Sequence, residues 1–161
     1  MADVVDANTR SRMMAGIKGK NTTPEVRLRK ALHRTGFRFG LHSSKLPGKP
    51  DIVLPKHRTV IFVHGCFWHR HEGCRNASVP KSNAAFWEEK FIRNVERDSS
   101  NVASLIKAGW RVGIVWECAV RQRGEHAVGR EVADWIRSEV GQSEGVKIIS
   151  GQTAHSSAKQ N

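Results

Sequence analysis

Apolar and polar positions follow two periods along the chain, and the change between them marks the elements. Thr22-Thr23-Pro24-Glu25 reads as a helix opening: a threonine cap, a proline suited to the first turn and an acid at the positive end of the helix dipole. Leu28 and Leu32 then fall one turn apart, and Gly36 is placed to stop a helix that runs to about Thr35. Phe37 to Leu41 alternates with period two, which predicts a strand. The loop Lys45-Leu46-Pro47-Gly48-Lys49-Pro50 leads to Asp51, and Asp51–Leu54 and Thr59–Val63 are apolar, β-branched strands joined by the polar connector Pro55-Lys56-His57-Arg58. If Leu54 faces Thr59, Asp51 faces Phe62, and His64 lies on the same face, diagonal to Asp51.

Gly65 to Lys81 is too polar and irregular for a core element. From about Asn83 to Ala108 the stripe Trp87, Phe91, Val95, Asp98, Val102, Leu105 steps by three and four, which predicts a long helix with an aspartate on its apolar side. Trp110–Trp116 predicts a central strand, and Val128, Val132, Trp135 and Ile136 a last helix. Beyond Glu139 the chain turns polar and small, so the tail 151–161 is expected to be loosely ordered. Met1–Asn21 reads as a basic arm containing Met13, Met14 and Ile17, with one domain over 22–150. The order of elements gives an α/β class: a mixed central sheet flanked by helices.

Charge narrows the partners. The formal net charge is +12, and Arg10 to Lys49 holds eleven Lys or Arg against the single acid Glu25. This is the footprint of a polyanion-binding surface, of which Arg10, Arg12, Lys18 and Lys20 form the leading part; a solvated basic face is the plainer alternative. No run approaches the ~18 apolar residues of a membrane span, the basic stretch lacks an aromatic membrane face, and the first residues carry no secretory pattern. A reducing cytoplasmic setting is the expectation, and the odd count of three cysteines agrees with it.

Those cysteines fall where metal ligands would. Cys66-x4-His71-x2-Cys74 with Cys118 after the Trp110–Trp116 strand gives three thiolates and an imidazole, a closed tetrahedral set suited to one structural zinc per chain, unless they are ordinary semi-buried thiols beside a surface histidine. A second group joins Asp51, His64, His69 and Asp98. A hard oxygen ligand suits Mg²⁺, a histidine can move protons, and Asp98 or Glu25 could orient an imidazole. Asp51 as a turn residue and Asp98 paired with Arg93 or Arg111 remain open on sequence alone. The adjacent Phe67 and Trp68 cannot both enter the core from one strand, which suits base stacking or a wedge, or packing around the cysteine loop; Trp87 and Met14 fit a helix's apolar side as well as a DNA contact.

The stretches Leu46-Pro47-Gly48-Lys49-Pro50-Asp51, Val60 to His69, Phe86-Trp87-Glu88-Glu89-Lys90, Asn94-Val95-Glu96-Arg97-Asp98, Gly109 to Val112 and Val115 to Cys118 resemble the very-short-patch-repair mismatch endonucleases over about residues 5 to 140. The resemblance implies a restriction-endonuclease-like fold with structural zinc, in a bacterial, monomeric enzyme that nicks double-stranded DNA 5′ to the thymine of a thymine-guanine mismatch. It implies magnesium ligation by Asp51, proton transfer by His69 with Asp98 behind it, His64 at the reacting phosphate, and zinc on Cys66, His71, Cys74 and Cys118. Phe67, Trp68 and Trp87 would enter the duplex while the arm around Met14 embraces it, and mismatch-repair proteins and a repair polymerase would be the partners. Val63 replaces the family's usual threonine, but the contact there is main-chain, so a carbonyl ligand to magnesium survives. The His71 to Cys74 spacing is one residue longer than in the best-known members. The acid-x-lysine triplet of other nucleases is absent; Phe62-Val63-His64 stands in its place.

Overall fold

The computed structural model describes residues 20–138 and 145–151. A helix, α1 (Thr23–Arg34), is followed by β1 (Gly40–Leu41), β2 (Ile52–Leu54) and β3 (Thr59–His64). Then come the long α2 (Ala84–Lys107), β4 (Arg111–Trp116), α3 (Glu117–Arg123), α4 (Glu125–Arg137) and β5 (Val146–Ile149). The strands lie in sequence order in one mixed sheet: β1, β2 and β3 pair antiparallel, and β3, β4 and β5 pair parallel. With helices on its faces, this is the restriction-endonuclease-like architecture expected from the sequence.

Both faces of the sheet are buried, which is why its central strands read as continuous apolar runs. On one face Ile52, Leu54, Ile61 and Val115 pack with Leu28 and Leu32 of α1, Val120 of α3, and Val128, Val132 and Ile136 of α4. On the other, Val53, Val60, Phe62 and Val112 pack under Leu105 of α2, with Val102 and Ile114 at the margin. The alternation fixes direction: Asp51 and His64 lie in phase with Val53, Val60 and Phe62, on the α2 side. Leu54 pairs with Thr59 as the hairpin reading required. A short 3-10 turn, Pro55–His57, makes the connection, and Arg58 closes it in the left-handed region (φ 51°).

Three expectations are corrected. The strand foreseen at Phe37–Leu41 shrinks to Gly40–Leu41, because Phe37 instead turns into the α1-side core. The last helix is preceded by a separate helix, α3, which Gly124 at φ 83° divides from α4. The stretch after Glu139, read as polar, contains β5. Within α2, Val95 is 41% exposed, so the apolar stripe is interrupted beside Asp98. The tail beyond Gly151 and the arm with Arg10, Arg12, Met14 and Lys18 lie outside the described residues; Lys20 is exposed at their border.

Candidate active site and metal centre

Strand β3 delivers His64 to the sheet's end, the next turn returns His69 over it, and α2 brings Asp98 across. His69 Nδ1 lies 2.5 Å from Asp98 Oδ2, and the His69 ring stacks on His64 with centroids 3.9 Å apart and planes within 5°. Asp98 therefore pairs with an imidazole and not with either arginine: Arg93 meets Glu89, and Arg111 donates to the carbonyls of Trp135 and Ile136. An anionic carboxylate at Nδ1 fixes the ring with its proton on that nitrogen and leaves the Nε2 lone pair to accept another. Burial pushes His64 down to about 3, so it is neutral near pH 7.

Asp51 stands at the mouth of β2. The backbone N–H of Val63 donates to its Oδ2 at 2.7 Å. Burial pushes its carboxyl up to about 6 against the pull of that hydrogen bond, and the neighbouring Glu25 carboxylate raises it further. Asp51, His64, His69 and Asp98 line one cleft of about 530 Å³, which Lys49, Arg97 and Asn101 also border. Asp51 and His64 do share a face and a cleft, but their immediate partners differ. His64 meets His69, whereas Asp51 Oδ1 has His42 Nε2 at 3.8 Å, and the same nitrogen is 2.5 Å from Glu25 Oε1. Glu25 thus orients His42 and Asp98 orients His69.

The chain reading passed over His42, Lys49, Arg97 and Asn101. Lys49 and Arg97 had a signal, since they sit two residues from Asp51 and next to Asp98. His42 had none: the pairing of β1 with β2 carries it there, with its N–H donating to the Asp51 carbonyl at 3.2 Å.

Cys66, His71, Cys74 and Cys118 converge at the far end of β4, each offering a ligand atom within 4.8 Å of the others. His71 Nδ1 lies 3.5 Å from Cys66 Sγ and 3.4 Å from Cys118 Sγ. A tetrahedral zinc with thiolate and imidazole ligands requires S···N separations of ~3.6 Å, so this donor set fits that ion. Burial pushes the Cys66 and Cys118 thiols up and the His71 imidazole down. The neutral imidazole is ready to ligate, whereas the thiols lose their protons only to a cation. The His71 ring stacks on Trp116 at 4.2 Å, and the Gly151 N–H donates to Cys118 Sγ at 3.4 Å. These contacts tie an otherwise irregular loop to the sheet. Cys118→Ser should abolish stoichiometric metal binding and lower Tm; elemental analysis and thermal melts of parent and variant check this, and a variant that holds a full equivalent would overturn the site.

Phe67 and Trp68 are half-buried. Phe67 lies edge-on to Trp68 (5.0 Å), Trp87 (5.7 Å) and Phe91 (5.2 Å), and Arg70 sits 3.9 Å over the Phe91 ring. Trp87 is buried, while Phe86, which the chain reading did not single out, is 55% exposed beside it. The aromatics form one cluster at the start of α2, next to the cleft that holds His69.

Fold, cleft and cysteine cluster together define an α/β protein of the restriction-endonuclease-like class with a Cys/His metal-binding centre. A family model described as "DNA mismatch endonuclease Vsr" matches residues 2–75. The "DNA mismatch endonuclease Vsr" of Escherichia coli is 44% identical over 142 residues, covering 86% of this chain and 90% of that protein. The "Type II nicking enzyme V.XorIIP" of Xanthomonas oryzae pv. oryzae is 46% identical over 124 residues (77% of this chain, 90% of the relative). The "Type II nicking enzyme V.NmeAIP" of Neisseria meningitidis serogroup A is 46% identical over 123 residues (76% and 87%). The chain belongs to the Vsr family of DNA mismatch and nicking endonucleases. Among the described residues no helix is long and apolar enough to cross a membrane.

Proposed function

We propose that this chain is a magnesium-dependent endonuclease that nicks duplex DNA on the 5′ side of the thymine in a thymine-guanine mismatch, opening the strand for short-patch repair. The observation that carries the reading is the joining of Asp51 and the Asp98–His69 pair in one cleft of a chain that is 44% identical to a mismatch endonuclease. Asp51 and the Val63 carbonyl would hold the ion. In an extended strand a residue's N–H and C=O project to the same side, so the Val63 N–H that reaches Asp51 takes its carbonyl there too. Magnesium, when bound, offsets charge on the phosphoryl oxygens and lowers the pKa of an attached water.

His69 takes up or returns the proton at Nε2, and Asp98 holds the ring in the tautomer that permits it. His64, neutral, offers a hydrogen bond to the phosphate region, and Glu25 adds negative charge behind Asp51. The Cys66, His71, Cys74, Cys118 set would hold one structural zinc. Phe67, Trp68 and Trp87 are the candidate wedge, supported by their place beside the cleft, and Lys20 with the arm residues Arg10, Arg12, Met14 and Lys18 would embrace the duplex. Unstacking costs a few kcal/mol per step and is cheaper at a mismatched pair, while stacking on an inserted ring returns ~1–3 kcal/mol per base. Those terms are close enough for a mismatch to decide entry.

The nicking-enzyme relatives make another nicking specificity on the same site the second reading. End-labelled duplexes differing at one base pair separate the two. Preferred nicking at thymine-guanine is expected, and equal nicking of the matched duplex would overturn the mismatch reading. In Ca²⁺, Trp68→Ala should weaken binding to the mismatched duplex more than to the matched one; an unchanged Kd ratio would return the aromatics to a packing role.

A further inference from the structure

Glu25 is 2% exposed, a charged group where charge is costly unless partnered. Two donors converge on its Oε1: His42 Nε2 at 2.5 Å and Arg29 at 3.2 Å. Because a carboxylate only accepts, Nε2 carries the hydrogen. That nitrogen also faces Asp51 Oδ1 at 3.8 Å, and the ligand atoms of Glu25, His42 and Asp51 all lie within 4.8 Å of one another. His42 reaches this place at a cost, since its φ of 47° puts a side-chain-bearing residue in the left-handed region. Its N–H bond to the Asp51 carbonyl holds it there.

We propose that His42 is a positioning residue for the nicking reaction: its Nε2–H keeps the buried Glu25 carboxylate turned toward Asp51, so that two carboxylates face one cation position with a donor between them. The inference rests on the reading of Asp51 as the cation ligand and adds what arranges its surroundings. Two bare carboxylates so close repel each other, and Arg29 donates to the same Glu25 oxygen. Without the imidazole, Glu25 follows Arg29 and the negative charge behind Asp51 is lost. His42 itself does not ligate; a hydrated magnesium ion favours oxygen donors, and the nitrogen is engaged by Glu25. Such outer partners are worth ~10–100-fold in metal affinity or activity.

The test uses the full, zinc-loaded chain. Single-turnover nicking is followed against Mg²⁺ concentration, and Mn²⁺ binding to the DNA-free protein is read by electron paramagnetic resonance. His42→Ala should raise both half-saturating concentrations by about tenfold or more, with a much smaller loss of rate at saturating metal. His42→Gln, whose amide N–H can donate to Glu25, should recover most of that affinity. A merely structural defect would lower the rate or Tm without moving metal half-saturation. Unchanged half-saturation in His42→Ala would overturn the proposal, and so would His42→Gln as impaired as His42→Ala, since the imidazole would then be a ligand. Should His42→Ala fail to fold, Glu25→Gln carries the same test: it must reproduce the weakened metal binding, and parent-like binding would overturn the proposal. Mn²⁺ binding that survives Asp51→Asn would instead sink the Asp51 reading itself.

Discussion

Asp51→Asn should lower nicking by at least ~100-fold, leave duplex binding within a few fold, and at the same time stabilise the metal-free protein. The amide keeps an oxygen for the Val63 N–H but loses the charge a cation needs. The stability effect follows from the carboxyl's rise from 3.8 to about 6, caused first by burial and then by Glu25. A folded-state pKa above the unfolded one means that the folded protein holds its proton more tightly. Stability from this group is therefore greatest below about pH 4, declines as pH rises toward 6, and stays low above. The difference amounts to ~3 kcal/mol at neutral pH. In magnesium-free buffer the variant should melt higher than the parent at pH 7.5, and the gap should close near pH 4. A variant that nicks like the parent would remove Asp51 from the chemistry; a variant no more stable at pH 7.5 would show that the buried charge is compensated in the folded state.

That trade of stability for charge was half visible in the chain. An aspartate between Pro50 and an apolar run is compatible with a turn residue or a ligand. What separates the two is the depth of its burial and the Glu25–His42 pair behind it, and both come from tertiary packing. Period-two phasing placed Asp51 and His64 on one face because the register Leu54–Thr59 is set by a short connector, a local property. Phasing gives a face and not a partner, so it could not tell that His64 would stack on His69 while Asp51 turned to His42. The helical stripe exposed Asp98 as an anomaly because an unpaired carboxylate on an apolar side is costly. Its partner sits 29 residues away on an irregular loop, and no period connects the two.

The failures have a common physical origin. Strand β5 has four residues and shows solvent two of its side chains, Val146 and Ile148, so it has neither the length nor the apolar density to stand out in a polar stretch. It forms because β4 presents an open parallel edge. The Phe37–Leu41 alternation was a true pattern put to another use, one ring sinking into the α1-side core. Adjacent aromatics at Phe67 and Trp68 could not both enter the sheet, and they did not; that argument could not foresee that α2 would supply Trp87 and Phe91 to receive them.

His69→Ala should slow the bond-breaking step by ~10²–10⁴-fold under single-turnover conditions, with little change in duplex affinity. The expectation rests on geometry: Asp98 at 2.5 Å from Nδ1 commits that nitrogen to donation, and His64 stacked beneath holds the ring plane, so Nε2 is left facing the cleft shared with Asp51. Asp98→Asn tests the arrangement more finely. The amide fills the same space, but its nitrogen can donate to Nδ1 and stabilise the opposite tautomer, which places a hydrogen on Nε2 where a lone pair is required. Asp98→Asn should therefore cost nearly as much as His69→Ala, and the double variant should cost little more than either, because the two act as one unit. The single-turnover rate measured from about pH 6 to 9 should follow a different profile in the parent and in His69→Ala, because only the parent has a group at Nε2 to move the proton. Additive losses in the double variant would separate Asp98 from His69. A pH profile unchanged by His69→Ala would leave the imidazole as packing for His64 and assign the proton to another group in the cleft.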